Sequence, residues 1–224
     1  MLKEVSEKTS LKKLINIYTE RSRSMKKLAV LISNAGTGTN LQAIIDAVKN
    51  KKLKAEIKLV VSSSANAYGL QRGKKNNIHT MVVGKKDDLE KILKTYQVDL
   101  VVLAGWKLIV PQSLINTFKN KILNLHPGLI PDKIDGIVRN PDQTDGLWNR
   151  GELTDAAIQN FLDQQATYAG STVHFLSEEF DFGPILARCF EKIFPNDTVE
   201  SLYKRLKKKE NKIYVETLIK LCNL

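Results

Sequence analysis

Leu28-Ala29-Val30-Leu31-Ile32 runs straight into Ser33-Asn34-Ala35-Gly36-Thr37-Gly38-Thr39-Asn40, and that into Leu41-Gln42-Ala43-Ile44-Ile45-Asp46-Ala47-Val48. Five consecutive apolar residues bounded by turn formers read as a strand buried on both faces, which is the pattern of a parallel sheet. The apolar residues after Asn40 recur with helical period. The stretch is therefore strand, loop, helix, and its loop is rich in Gly, Thr and Asn. Free N–H groups at a helix N-terminus, with the positive end of the dipole behind them, form an anion site that glycines let a phosphate approach. Gly-x-Gly lacks the third glycine of a dinucleotide fingerprint, and no Gly-Lys-Ser/Thr follows to make a Walker loop. The loop has two readings: a phosphate site, or a turn in which Thr39 or Asn40 caps the helix.

The same alternation continues outward. Ile57 to Ser62 reads as a second strand, with a helix to about Asn76, a short strand at Thr80 to Val83, a helix at Lys86 to Thr95 and the most apolar strand at Asp99 to Gly105. Strands alternating with helices imply right-handed crossovers and a mainly parallel twisted sheet with helices on both faces, an α/β fold. In such sheets ligands bind beyond the carboxyl ends of the strands. Gly36 to Asn40 and Gly105 to Val110 fall at two of these ends, and Ile122-Leu123-Asn124-Leu125-His126-Pro127 supplies a third. Alternate strand positions share a face, so Asn124 and His126 project together, and Pro127 stops the strand where they stand. One reading is a strand running into a turn, with the histidine satisfied by a backbone carbonyl. The other is an amide and an imidazole presented to a ligand in a cleft where three strand ends meet.

Between 132 and 169 periodicity breaks down until a helix from about Thr154 to Gln165; such excursions are usually lids or binding loops, and Trp148 is expected to anchor this one in the core. Regular structure resumes with the strand Ser171 to Leu176, the segment Ser177 to Pro184, the strand Ile185 to Phe190, and one or two basic helices from Val199 to Leu221 opened by Asn196-Asp197-Thr198. Residues 1–24 are polar and basic, with Leu11, Leu14, Ile15 and Tyr18 at helical spacing. They read as an N-terminal extension to a domain spanning 25–224, with Met25 as a candidate translation start.

Thirty-five Lys and Arg against 24 Asp and Glu give a net charge of +11, which favours anionic ligands. Residues 204–212 hold six bases and one acid; phosphate or polycarboxylate binding and a solvated helix face both fit. No aromatics interleave with these bases, so nucleic acid is not expected as a partner. Two distant cysteines, Cys189 and Cys222, argue against a disulfide framework or a thiolate zinc site and fit a cytoplasmic protein. No apolar run is long enough for a membrane span.

Ser33 to Leu41, Val102 to Trp106, Asn124-Leu125-His126-Pro127-Gly128-Leu129-Ile130-Pro131, and Gly170-Ser171-Thr172-Val173-His174-Phe175 through Phe182-Gly183-Pro184 together resemble the folate-dependent phosphoribosylglycinamide formyltransferases of purine biosynthesis. The resemblance runs from about Met25 to the C-terminus. It implies a Rossmann-like formyltransferase fold and transfer of formyl from 10-formyltetrahydrofolate, a co-substrate, to the amine of phosphoribosylglycinamide, with no metal. Asn124, His126 and Asp181 match the family's catalytic trio, in which Asp181 is expected to raise the pKa of His126. Gly38, Thr39 and Asn40 match the phosphate-binding segment; Glu210, with Lys207 to Lys209 before it, matches the part that binds the ribose side. Lys107, Leu108, Ile109 and Val110, and Ser177, Glu178, Glu179, Phe180 and Asp181, match segments lining the pteridine pocket, which Asn124 also borders. His174 matches a family histidine read as structural. The excursion and the phosphate loop are longer than the family's, and Trp106-Lys107-Leu108 replaces an aromatic-Met-Arg, so the acceptor amine is left open. An amino sugar nucleotide or methionyl-tRNA formyltransferase, and a non-catalytic folate or nucleotide binder, are the alternatives; the chain ends too soon after Asp181 for a further RNA-binding barrel. Small molecules are the expected partners, and a homodimer is allowed.

Overall fold

The computed structural model describes residues 25–33, 38–84 and 87–223. The expectations for residues 1–24, and the Asn34 to Thr37 part of the phosphate loop, lie outside the described residues. Along the chain run β1 (Lys26–Ile32), α1 (Thr39–Lys49), β2 (Ala55–Ser62), α2 (Tyr68–Lys75), β3 (Thr80–Val82), α3 (Leu89–Thr95), β4 (Leu100–Leu103), α4 (Gln112–Thr117), β5 (Ile122–His126), α5 (Thr154–Asp163), β6 (Tyr168–Phe175), β7 (Ile185–Lys192) and α6 (Val199–Cys222). The strands form one sheet in the order β3-β2-β1-β4-β5-β6-β7. β1 to β5 are parallel neighbours, whereas β6 and β7 run antiparallel.

The alternation of β1 explains the two covering layers. Leu28, Val30 and Ile32 bury against Leu41, Ile44 and Ile45 of α1 and Tyr214 and Leu218 of α6. Ala29 and Leu31 turn to the other face, beside Leu93 of α3 and Leu114 of α4. Both faces of the strand are thus apolar, as an all-apolar run requires. Tyr214 is fully buried and satisfies its hydroxyl by donating to the carbonyls of Leu103 and Leu123, 2.9 and 3.1 Å away, which fastens α6 across β4 and β5.

Several local expectations change. α1 is capped by Gly38 and not by Thr39 or Asn40, which are helical; Gly38 adopts φ 70, left-handed backbone that glycine tolerates. α3 is described from Leu89, where the Asp88 carboxylate accepts from the Lys91 N–H at 2.9 Å. α4 was not expected, because its six residues follow Pro111 without a capping side chain and bury only Leu114. The basic C-terminus forms a single helix of 24 residues, opened by Thr198 in a reciprocal capping box with Ser201. No described helix is long and apolar enough to cross a membrane.

Candidate active site

Parallel strands end together, so their loops meet. The Ser33 N–H donates to the Gly105 carbonyl (3.2 Å) and the Lys107 N–H to Ser33 Oγ (3.0 Å), while the Ser33 and Ser63 hydroxyls lie 2.7 Å apart. Next along the edge, β5 ends at His126, and the turn after it is fixed to β6: Thr172 Oγ1 donates to the Gly128 carbonyl (2.7 Å) and accepts from the Ile130 N–H (3.0 Å). Asn124 pairs with His174 and His126 with Thr172, so all four side chains share one face of the β5–β6 ladder.

The rings of His126 and His174 stand edge to face, 6.4 Å between centroids. His174 is fully buried. Its Nδ1 lies 3.1 Å from the Phe175 carbonyl, and a carbonyl only accepts, so Nδ1 carries the proton. That leaves the Nε2 lone pair to accept from Asn124 Nδ2 at 3.2 Å. Burial, with His126 beside it, pulls the His174 pKa down to about 3, so this acceptor stays neutral. His174 is thus more than packing: it sets the orientation of the Asn124 amide by accepting one of its two Nδ2 hydrogens.

His126 is held by the excursion. Its Nε2 donates to the Trp148 carbonyl at 2.7 Å, and Nδ1 faces Asp181 Oδ1 at 3.7 Å. The first sequence reading of this histidine holds for one nitrogen, which a backbone carbonyl satisfies, while the other meets a carboxylate. Burial, with only 2% of the ring exposed, lowers the His126 pKa below its ordinary 6.5, and the Asp181 charge and Trp148 carbonyl only partly oppose it. The expected upward shift is corrected: desolvation is the larger cause.

Trp148 is not the core anchor expected. It is half-buried, donates Nε1–H to the Asp181 carbonyl (3.1 Å), and packs on Phe182 at 5.8 Å between ring centroids. Asn149 does the anchoring, its amide donating to the carbonyls of Pro127 and Ala157, both at 3.1 Å. The sequence hinted at neither carbonyl contact, and only the density of Gly, Asn and Trp near 146–151 marked the segment.

The other expected residues divide between the two sides of the sheet edge. Gly38, half-buried Thr39 and buried Asn40 open α1, and Asn40 Oδ1 is buried without a partner among the described residues. Glu210 on α6 lies on the same face; it is 2% exposed, accepts from Ser171 Oγ (2.7 Å) and pairs with Lys207 Nζ (3.1 Å). Its carboxylate is on the opposite side of β6 from His126, because Ser171 and Thr172 point to opposite faces. On the His126 side, Val110 and Leu176 pack on one core cluster, bringing the 107–110 segment beside the segment that opens at Ser177. Lys107 and Glu178 are exposed, Leu108 is half-buried, and Ile109 (84%) and Phe180 (59%) are open large apolar side chains. Ser177 Oγ donates to the Phe182 carbonyl (2.9 Å) and accepts from the Glu179 N–H (3.2 Å), holding the turn that carries Asp181.

Residues 26–218 match the family model described as formyl transferase. The chain is 36% identical over 213 residues to a phosphoribosylglycinamide formyltransferase of Dictyostelium discoideum, covering 85% of this chain and 95% of the relative. A Haemophilus influenzae protein of the same name is 37% identical over 199 residues, covering 85% and 84%. Among solved structures, glycinamide ribonucleotide transformylase 1 from Symbiobacterium toebii superposes with a TM-score of 0.74 at 32% identity, covering 87% of this chain and 86% of that one. With this match spanning the sheet, the cleft and the C-terminal helix, the chain belongs to the formyl transferase family, among its phosphoribosylglycinamide formyltransferases.

Proposed function

We propose that this site transfers the formyl group of 10-formyltetrahydrofolate to the primary amine of phosphoribosylglycinamide, a step in the synthesis of the purine nucleotide IMP. The observation that carries the reading is the placing of Asp181 Oδ1 3.7 Å from Nδ1 of His126, on the strand that presents Asn124 two residues earlier. The division of the cleft agrees with it. The α1 N-terminus, Lys207 and Glu210 lie on one face of the sheet, suited to a phosphate and ribose; the open apolar side chains of Ile109 and Phe180 lie on the other, suited to a flat pterin. The two would meet at Asn124 and His126.

The residues then have distinct tasks. The amine nitrogen attacks the formyl carbon, and the carbonyl π pair moves to oxygen. That oxyanion receives the free Nδ2 hydrogen of Asn124 and, when His126 is protonated, its Nδ1–H. Such a donor is worth about 3 kcal/mol, roughly a hundredfold in rate. Because Nε2–H is committed to Trp148, only the imidazolium form can donate from Nδ1. Asp181 favours that form and, through a water, takes the proton that the attacking amine loses. Collapse of the tetrahedral intermediate breaks the bond to N10, which takes up a proton and leaves as tetrahydrofolate. Burial of His126 moves the loss of the donor form to lower pH, so the rate falls on the alkaline side from below pH 6.5.

Incubation with 10-formyltetrahydrofolate and each of phosphoribosylglycinamide, an amino sugar nucleotide and methionyl-tRNA, followed by the absorbance of the folate product, tests the reading. Turnover is expected with the first alone, and H126A and D181N should lower kcat by about a hundredfold or more. Transfer only to another amine overturns the substrate; unchanged turnover in both variants overturns the site. Cys189 and Cys222, buried free thiols pushed up to about 12 and about 11, fit a reducing cytoplasm.

A further inference from the structure

The segment Trp148 to Gly151 is a strap that ties Asp181 to the end of β5. Its root is fixed, since Asn149 is 7% exposed and accepts from the Asn160 amide (2.8 Å) besides donating to Pro127 and Ala157. From that root two backbone groups reach the reacting pair: the Trp148 carbonyl takes His126 Nε2–H, and the Gly151 N–H donates to Asp181 Oδ2 at 2.8 Å. The Asp181 side is less secure. Asp181 has φ 49, a left-handed conformation that costs a non-glycine residue roughly 1 kcal/mol, so the turn needs an outside hold to keep it.

Arg150 is placed to supply that hold. Its Nε donates to the Phe180 carbonyl at 3.1 Å, its Nη2 pairs with the Glu179 carboxylate, and its guanidinium lies 5.0 Å from the centroid of the Trp148 ring. One side chain thus grips the two residues before Asp181 and rests on the ring of Trp148, a residue whose backbone carbonyl meets His126 and whose Nε1–H donates to the Asp181 carbonyl. We propose that Arg150 is a positioning residue for the proposed formyl transfer, latching the 179–181 turn to the strap so that the Asp181 carboxylate faces His126 Nδ1. In this role Arg150 acts through Asp181. The inference rests on the formyl-transfer reading, but the geometry it invokes does not. An exposed ion pair contributes little to folding, so removing it should leave the fold intact and release only the turn.

The ionisable groups facing His126 are Asp181, from the turn after β6, and His174, from β6 itself; the strap offers only the neutral Trp148 carbonyl. His174 stays neutral across the working range, so a change in the titration of His126 reports Asp181. The test uses the full chain with R150A, R150K and R150A in a D181N background, reading steady-state kinetics and the His126 ring titration by NMR without substrate. R150A should lower kcat about tenfold and leave both KM values within about twofold. His126 should titrate lower by about half a unit, because the carboxylate that favours its charged form has moved away. R150K should recover part of the rate, since an ammonium can meet Glu179 without also reaching the Phe180 carbonyl or stacking on Trp148. In D181N the same change should cost almost nothing. An unchanged kcat with an unshifted His126 titration overturns the proposal, as does an equal loss in the D181N background. Should the wild type transfer no formyl group, the functional reading fails, and the NMR titration alone still decides the latch.

Discussion

Replacing His174 by Gln separates two roles that the structure gives one buried ring. In the folded protein its pKa is about 3, against an ordinary 6.5, so between these values the unfolded chain binds a proton that the folded chain refuses. Folding stability therefore rises with pH through that window and is lost as pH falls from 6.5, at about 1.4 kcal/mol per unit, levelling off below about 3. Between pH 7 and pH 5 the loss from this residue alone comes to about 2 kcal/mol. Glutamine cannot titrate, yet its carboxamide oxygen can stand where Nε2 stands and accept from Asn124 Nδ2. H174Q should then lose about 2 kcal/mol less than wild type over the same interval, by urea unfolding at the two pH values, with kcat within about threefold at pH 7. H174L, which fills the space without an acceptor, should show the same relief from acid but lose roughly tenfold in kcat, because the Asn124 donor is left unpaired and free to turn. An acid dependence in H174Q as steep as in wild type would refute a buried, neutral His174. Equal kcat in H174L and wild type would refute its hold on Asn124.

Further expectations follow from particular contacts. G38A places a methyl group on left-handed backbone and 3.3 Å from the Gly69 Cα, so the phosphate-bearing substrate should show a KM raised about tenfold with kcat little changed, by steady-state kinetics. Y214F removes the hydroxyl that donates to the Leu103 and Leu123 carbonyls; it should cost about 1–3 kcal/mol in urea unfolding and leave KM for both substrates unchanged, since the bond ties α6 to the sheet and touches no proposed ligand.

Much of the architecture is legible in the sequence. β1 is a run of apolar residues because both its faces are covered, and such a run is visible as composition. Asn124 and His126 stand out because strand alternation is a property of the backbone, and Pro127 marks where it stops. α4 escaped because six residues with one buried side chain carry too little periodicity to register. The cap of α1 is not legible in the sequence, because a left-handed glycine turns the chain there and no side-chain oxygen marks the position.

The sequence by itself determined the parallel sheet, the edge where its loops gather, the residues of the proposed trio and the family to which they point. Tertiary structure decided how that trio is wired. The nitrogen of His126 left to face Asp181 depends on the carbonyl of Trp148, and a peptide carbonyl is the same group in every residue, so no side chain announces it. The direction of the His126 pKa depends on how much water the fold removes from the ring, a quantity set in part by neighbours such as Trp148, 22 residues away along the chain. Amino-acid type fixes which group is available, whereas its protonation, orientation and partners are fixed by what the folded chain brings within about 3 Å of it.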